Sequence, residues 1–224
     1  RGLKVGAEAE FTGHMLEVTL GPGMLSKNYD GLQNDLDKMD GVFLKRGQYT
    51  YPLDKESKWH FEPLVKVGDE VGPSAWLGQV EENHQPLKIM VPFHLLGTYK
   101  VKSIVAAGEY TIEDTVVVLT DKEGNDIPVN MIQKWPVKKA MTNYKEKPRP
   151  FKLLETGVRV IDTVNPIVEG GTGFIPGPFG TGKTVLQHAI SKQAEADIVI
   201  IAACGERANE VVEIFTEFPE LVDP

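Results

Sequence analysis

The chain has 224 residues, of which 41% are hydrophobic and 25% are charged, a composition typical of a soluble globular protein with one large or two smaller domains. Its net charge of −8 gives no electrostatic support to a role in coating nucleic acid. No apolar run approaches the ~18 residues of a membrane span, and the first residues, RGLKVGAEAE, lack the apolar core of a signal peptide. The single cysteine, Cys204, excludes an intrachain disulfide and fits a reducing compartment.

The first 140 residues or so are predicted to be rich in β structure. Gly, Pro, Asn and Asp separate short apolar runs such as Glu17 to Leu20 and Val116 to Leu119. The segment 65–71 (VKVGDEV) and the segment 107–116 (AGEYTIEDTV) echo each other, because in both a Gly-acid turn leads into an apolar run. This weak repeat favours a small pseudo-symmetric β-sandwich or flattened barrel.

Two shorter segments of the chain are predicted to be connections or turns. Residues 29–36 (YDGLQNDL) favour a short helix or a turn. Residues 141–150 (MTNYKEKPRP) are polar, charged and rich in proline, which removes hydrogen-bond donors and disfavours regular structure before it. We expect them to link the β-rich part to an α/β part that begins near Phe151.

Residues 177–184 read GPFGTGKT and match the phosphate-binding pattern G-x-x-x-x-G-K-[ST] at every position. The glycines let the backbone bend around a phosphate and present its N–H groups. Lys183 is predicted to reach the β- and γ-phosphates, and the Thr184 hydroxyl to coordinate Mg²⁺. The Thr181 hydroxyl is expected to add a hydrogen bond to the phosphates. The residues predicted to bind ATP or ADP are Gly177, Pro178, Phe179, Gly180, Thr181, Gly182, Lys183, Thr184 and Val185.

The segments on either side of this loop fit the same interpretation. Residues 173–176 (GFIP) are predicted to end a short buried strand, and residues 184–193 carry apolar side chains at a helical spacing. Residues 197–204 (DIVIIAAC) then predict a strand buried on both faces, as in a parallel sheet, with the Cys204 thiol packed and inert. The order strand, loop, helix, strand separates this motif from an ordinary Gly-rich turn.

A second candidate site follows that predicted strand. Glu206 comes directly after it, and ligands of open α/β sheets gather at the carboxyl ends of strands. A carboxylate there can orient a water for attack on the γ-phosphate, and Arg207 can contact phosphate oxygens or an acid of another subunit. The alternative is a polar turn that starts a helix, with Glu206 stabilised by the helix dipole.

Taken together, six sequence segments resemble the catalytic A subunits of the vacuolar/archaeal-type (V/A-type) rotary ATPases. They are GPFGTGKTVLQH, CGERANE, EFPELVDP, QKWPVKKAM, TGVRVIDTVNPI and GPGMLSKNYDGLQ. The resemblance implies that Lys183 and Thr184 bind nucleotide and Mg²⁺. It also implies that Glu206 is the catalytic carboxylate that polarises the attacking water, with Arg207 beside it.

This resemblance also implies a fold and a domain order. The fold is mixed: a β-rich insertion (bulge) domain similar to a barrel-sandwich hybrid precedes an incomplete α/β P-loop nucleotide-binding domain. Residues 1–24 are expected to be the tail of an N-terminal β-barrel region and residues 25–140 the insertion domain. Residues 141–150 are then the linker, and residues 151–224 the first part of the ATPase domain. We therefore expect a fragment that is inactive by itself.

The partners implied by the resemblance are protein subunits. A non-catalytic B subunit would alternate with this subunit in a hexamer, next to central and peripheral stalk subunits. The complex would couple ATP hydrolysis or synthesis to H⁺ or Na⁺ transport. No nucleic acid is expected, and contact with the membrane is indirect, through the ion-translocating sector, so the location is cytoplasmic and peripheral to a membrane.

Three other interpretations remain open at this point. The first is another P-loop motor, such as an F-type β subunit or an export ATPase, against which the insertion argues. The second is a biotinyl- or lipoyl-like carrier domain, for which Lys88 is the nearest lysine to the expected hairpin tip. The third is a structural or interaction module. The five histidines are scattered, without the spacing of metal ligands.

Overall fold

The computed structural model describes residues 4–39, 41, 47–142, 146–178 and 180–218. The chain divides into two compact units, Arg1–Lys145 and Glu146–Pro224. The predicted loop residue Phe179 lies outside the described residues. None of the helices in the described part of the chain has the length and apolar character needed to cross a membrane.

The first unit consists almost entirely of antiparallel strands. Within the described residues they are β1 (Glu17–Leu20), β2 (Lys58–Pro63), β3 (Glu70–Val71), β4 (Trp76–Glu82), β5 (Gln85–Met90), β6 (Tyr99–Ile104), β7 (Gly108–Thr111), β8 (Val117–Thr120), β9 (Asp126–Val129) and β10 (Gln133–Pro136). Strands β1 and β10 pair with each other. The β-rich character predicted for this part of the chain is confirmed.

Two four-stranded sheets form the body of this unit, with the strand orders β5-β4-β2-β7 and β9-β8-β6-β3. The strands β2 to β5 and the strands β6 to β9 are two halves with the same arrangement. Each half places three strands in one sheet and gives one strand, β3 or β7, to the edge of the other sheet. The halves therefore cannot separate without breaking both sheets.

Each half contains one turn that is built in the same way. The backbone N–H of Lys66 donates to the Asp69 carboxylate at 2.8 Å, and the backbone N–H of Thr111 donates to the Asp114 carboxylate at 2.7 Å. The latter hydrogen bond lowers the pKa of Asp114. The echo in the sequence thus corresponds to a repeated turn in the structure, which lies between β2 and β3 in the first half and between β7 and β8 in the second.

Apolar side chains from both sheets share one core. Phe61 of β2 is fully buried between exposed neighbours, as expected for a strand with one face inward. Leu77 of β4 and Leu119 of β8 are also fully buried and belong to the same cluster. The core therefore lies between the sheets, and burial of these side chains is the main favourable contribution to the stability of this unit.

Residues 29–36, predicted as a helix or a turn, form a turn. The Asp30 carboxylate accepts hydrogen bonds from the backbone N–H groups of Leu32 and Asn34, each at 2.8 Å. Tyr29 and Asp35 form a β-bridge across this turn, and a short 3₁₀ helix, Leu36–Lys38, follows. Asp and Asn side chains that bind their own backbone favour such turns over helices.

The second unit contains most of the helical residues. Its described elements are β11 (Leu153–Leu154), α1 (Arg159–Val164), β12 (Ile167–Val168), α2 (Lys183–Gln193) and α3 (Ala208–Glu217). Strands β11 and β12 pair antiparallel. The predicted helix after the phosphate loop is confirmed as α2.

Two strand predictions for this unit are wrong. Neither residues 173–176 nor residues 197–204 form a strand. Ile200 is 88% exposed, although the sequence predicted burial on both faces, and Cys204 is exposed rather than packed. The physical reason is that a strand requires a hydrogen-bonded neighbour, and none of the described residues pairs with these segments.

Gly78 of β4 offers a test of the core. A Cβ at this position would lie 2.3 Å from the Phe61 ring and 2.8 Å from the Glu62 carbonyl oxygen. We predict that Gly78→Ala lowers the free energy of unfolding by at least about 2 kcal/mol, measured by urea denaturation. Gly72→Ala is the control, because a Cβ there meets nothing within 4 Å, and its effect should stay within about 0.5 kcal/mol. Equal effects of the two changes would contradict the packing described.

Tyr29 should ionise at unusually high pH. Burial and then the Asp35, Glu82 and Asp37 carboxylates raise its pKa from 10.0 to about 12. The folded state therefore holds this proton more tightly than the unfolded state, so the stabilisation is complete below pH 10 and is lost as the pH rises toward 12. Tyr29→Phe should remove the highest step of the tyrosinate absorbance titration. A titration curve that keeps this step would show that Tyr29 is not its source.

Candidate phosphate-binding loop and carboxylate site

The described part of the phosphate loop is closed by a hydrogen bond within it. The Thr181 hydroxyl donates to the Pro178 carbonyl oxygen at 2.8 Å, so its hydrogen is directed into the loop and not toward a ligand. A Cβ on Gly177 would lie 2.5 Å from this hydroxyl oxygen. The close approach of the two chain segments therefore requires glycine at position 177.

The loop ends in a helix start that suits an anion. Gly182 precedes α2 with φ of 82°, in the left-handed region that favours glycine. The first hydrogen bond of the helix runs from the Leu186 N–H to the Gly182 carbonyl oxygen at 2.9 Å. The N–H groups of residues 183–185 therefore lack partners within the helix, and the first turn contains no acidic residue. An anion placed here meets N–H donors, the helix dipole and Lys183.

One cleft joins the helix after the loop to the residues around Glu206. The α2 side of the cleft presents a polar stripe at helical spacing, formed by Thr184, Gln187, His188 and Ser191. The opposite side is formed by Ile201, Ala202, Ala203, Glu206, Glu210 and Ile214. Two residues that are 22 positions apart in the sequence, Thr184 and Glu206, thus line the same cleft.

Glu206 is surrounded by charged groups that act in opposite directions. A hydrogen bond with Glu210, helped by partial desolvation and by the charge of Glu210, raises the pKa of the exposed Glu206. Lys183 and His188 act against this and lower it. Lys183 and His188 therefore lie within the range over which their charge acts on this carboxylate. The structure therefore brings three of the predicted site residues together: Lys183, Thr184 and Glu206.

Two other residues that were predicted to belong to the site, Arg207 and Val185, do not line this cleft. Arg207 is exposed at the start of α3, where its carbonyl oxygen accepts a hydrogen bond from the Val211 N–H at 3.0 Å. It does not belong to the described residues that line the cleft. Val185 is 71% exposed, so it lies on another face of α2 than the polar stripe.

His188 and Glu210 were not predicted to belong to the site. His188 was grouped with the other scattered histidines, and Glu210 was only part of a motif. The spacing in the sequence could have indicated them, because His188 follows Thr184 by one helical turn and Glu210 follows Glu206 by the same interval. Among the described residues, no three His, Cys, Asp or Glu side chains form a group suited to a metal ion.

The described residues fit a nucleotide phosphate with its Mg²⁺. Glycines at positions 180 and 182 leave open space, since a Cβ on either one meets nothing within 4 Å. The Thr184 hydroxyl lines the cleft and has no hydrogen-bond partner among the described residues, so it is available as an oxygen ligand. Oxygen donors are the ligands that Mg²⁺ prefers, and it usually keeps several waters and substrate phosphates.

The position of Lys88 argues against a carrier domain. The tip of the β4–β5 hairpin is formed by Asn83 and His84, both with positive φ. Lys88 lies within β5 opposite Gln79, donates a hydrogen bond to the Gln79 side chain, and places its Nζ 5.1 Å from the centre of the Trp76 ring. A lysine held in this way is not presented at a hairpin tip for attachment of a prosthetic group.

Glu210 can be tested as the cause of the raised pKa of Glu206. We predict that Glu210→Ala lowers the pKa of Glu206, because both the hydrogen bond and the neighbouring negative charge are removed. The measurement is a pH titration of the side-chain carboxyl carbon by NMR. Glu213→Ala is the control, since Glu213 is exposed on the same helix and does not line the cleft. A Glu206 pKa that is unchanged by Glu210→Ala would contradict the pairing.

Comparison with known proteins identifies both parts of the chain. Residues 50–138 match the ATP synthase alpha/beta subunit barrel-sandwich domain, and residues 157–222 match the nucleotide-binding domain of the ATP synthase alpha/beta family. These matches confirm the mixed fold: a β-rich barrel-sandwich domain followed by part of an α/β nucleotide-binding domain.

Individual relatives are similar in sequence to this chain over its whole length. The chain is 54% identical to the V-type ATP synthase alpha chain of Treponema denticola, 51% identical to that of Borrelia hermsii and 49% identical to that of Borrelia garinii subsp. bavariensis. Each comparison covers 100% of this chain but only 38%, 39% and 40% of the respective relative. With two successive domain matches and about half of its residues identical to those of V-type ATP synthase alpha chains, the chain belongs to the ATP synthase alpha/beta family.

Proposed function

We propose that this chain is part of the catalytic subunit of a rotary ATPase, which hydrolyses or synthesises ATP and couples this reaction to H⁺ or Na⁺ transport across a membrane. One observation carries the proposal: Thr184 and Glu206 line a single cleft, and the charge of Lys183, the neighbour of Thr184, acts on the Glu206 carboxylate. A phosphate-binding loop and a nearby carboxylate are the two parts that hydrolysis of a nucleoside triphosphate requires.

The proposed site residues have two roles: some bind the phosphates, and one orients the attacking water. Lys183 and the N–H groups at the start of α2 hold the β- and γ-phosphates and stabilise the negative charge that builds up on them. Thr184 would hold Mg²⁺, which when bound neutralises charge on the phosphate oxygens. Glu206 in its ionised form accepts a hydrogen bond from the attacking water and orients its oxygen toward the γ-phosphorus, and ADP leaves.

The ionisation of Glu206 fits this role. Glu210 raises the pKa of Glu206 and thus favours a protonated carboxyl, whereas the positive charge of Lys183 favours the carboxylate. A carboxyl group whose pKa is shifted toward neutrality is a better acceptor for the proton released by water than an ordinary surface glutamate. Arg207, next to this carboxylate, is proposed to contact phosphate oxygens or an acid of a neighbouring subunit.

For the domain order we propose the division predicted from the sequence. Residues 1–24 belong to an N-terminal β-barrel region, residues 25–140 to the insertion domain, residues 141–150 to a linker, and residues 151–224 to the nucleotide-binding domain. The chain spans about 38–40% of the length of the relatives it matches, and the proposed activity belongs to the whole subunit.

The partners proposed for the whole subunit follow from the same interpretation. It would alternate with a non-catalytic B subunit in a hexamer and contact central and peripheral stalk subunits. Its location would be cytoplasmic, and peripheral to a membrane through the assembled complex. An arginine supplied by the neighbouring subunit would complete the charge stabilisation during hydrolysis.

Two variants of the full-length subunit test the proposed function. Lys183→Ala should weaken binding of Mg-ADP and Mg-ATP by at least about tenfold, measured by calorimetric titration, because charge-assisted contacts to the phosphates are lost. The second variant, Glu206→Gln, should retain nucleotide binding within about twofold and abolish ATP turnover by the assembled complex. The reason is that the glutamine amide cannot accept the proton released by the attacking water. Near-normal turnover with Glu206→Gln would refute the assignment.

A further inference from the structure

His188 is a buried polar side chain to which the proposed chemistry assigns no task. It is only 7% exposed and is the one residue of α2 that is fully buried. Its ring meets the ring of Phe218 edge to face, with the centres 5.7 Å apart and the planes at 86°. Such aromatic pairs favour one relative orientation, so the contact constrains both side chains.

The helix α3 connects this contact to the candidate carboxylate. Phe218 directly follows the last residue of α3, and Glu206 lies two residues before the first. Val211 and Ile214 are half-buried and share a helical face with Glu210. The helix therefore lies with one face toward the cleft, and a contact at its end also affects the position of its beginning.

No strand holds Glu206 in place within the described residues. Residues 198–203 form no ladder with a neighbouring strand, and Glu206 itself is exposed. Its position relative to Lys183 and Thr184 must then depend on how α3 lies against α2. On the α2 side of the cleft, His188 is the most buried residue and lies one helical turn after Thr184.

We propose that His188 is a positioning residue that keeps Glu206 opposite Lys183 and Thr184 by fixing α3 against α2 through the Phe218 ring. The inference rests on the proposed function, because it assigns His188 a role in the same reaction. A misplacement of about 1 Å of a catalytic group can lower a rate by about 100-fold without affecting substrate binding to the same degree. His188 should therefore influence kcat more than KM.

The experiment compares His188→Ala with His188→Phe in the full-length subunit of the assembled complex. Alanine removes the ring contact, whereas phenylalanine retains an aromatic ring against Phe218. We expect His188→Ala to lower kcat for ATP hydrolysis by about 10- to 100-fold, with KM for Mg-ATP changed by less than about threefold. His188→Phe should recover most of the lost kcat. Glu213→Ala, on the exposed side of α3, is the control and should behave as the unmodified protein.

A double-mutant cycle tests whether the effect acts through Glu206. Combined with Glu206→Asp, which already displaces the carboxylate, His188→Ala should cause a smaller loss of kcat than it causes alone, because both changes disturb the same interaction. If His188→Ala caused only a general structural defect, it would lower kcat by the same factor in the unmodified protein and in Glu206→Asp. This result would overturn the proposal. Calorimetric titration of Mg-ADP shows whether each variant retains its folded phosphate loop.

The outcomes separate this inference from the proposed function. Turnover that survives Glu206→Gln would refute the function itself. A kcat for His188→Ala within about twofold of the unmodified enzyme, while Glu206→Gln is inactive, would overturn only the role of His188. If His188→Ala fails to bind Mg-ADP, His188→Phe decides the question: a loss of kcat of about tenfold or more despite intact Mg-ADP binding would contradict positioning by the ring contact.

Discussion

The contact between α2 and α3 is the constraint on which the candidate site depends. The helix α2 starts at the phosphate loop and carries Lys183 and Thr184, whereas the residue proposed to act on water, Glu206, lies beyond its C-terminal end and before α3. These groups can cooperate only if the two helices hold a defined arrangement. A polar stripe on α2 faces the start of α3, and within this stripe His188 is the buried member.

The two units are stabilised in different ways. In the first unit, β3 and β7 each pair into the sheet of the other half, so both halves share one apolar core. The strands of this unit therefore find their hydrogen-bonded neighbours within the unit. In the second unit, apolar side chains such as Phe174 and Ile200 are 87% and 88% exposed. Exposed apolar surface of this kind marks faces that pack against other protein elements.

Local sequence patterns predicted the elements whose causes are local. The helical spacing after the loop and the acidic turns before β3 and β8 act over a few residues, and the structure contains the helix and both turns, although Gly108 and Glu109 lie in β7 and not in a turn. The apolar run 197–204 was predicted as a buried strand and is not one, because a strand depends on a partner distant in sequence. The same limit explains the exposed Cys204.

The sequence by itself determined the phosphate-loop motif, and through it predicted the class of ligand and the residues proposed to bind it, since this loop is a continuous motif whose glycines and lysine act on their immediate neighbourhood. Only the tertiary structure decided which distant side chains share the cleft with that loop. Glu206, Glu210 and His188 meet there because α3 lies against α2, and that arrangement results from packing between segments about 20 residues apart, which no local pattern encodes.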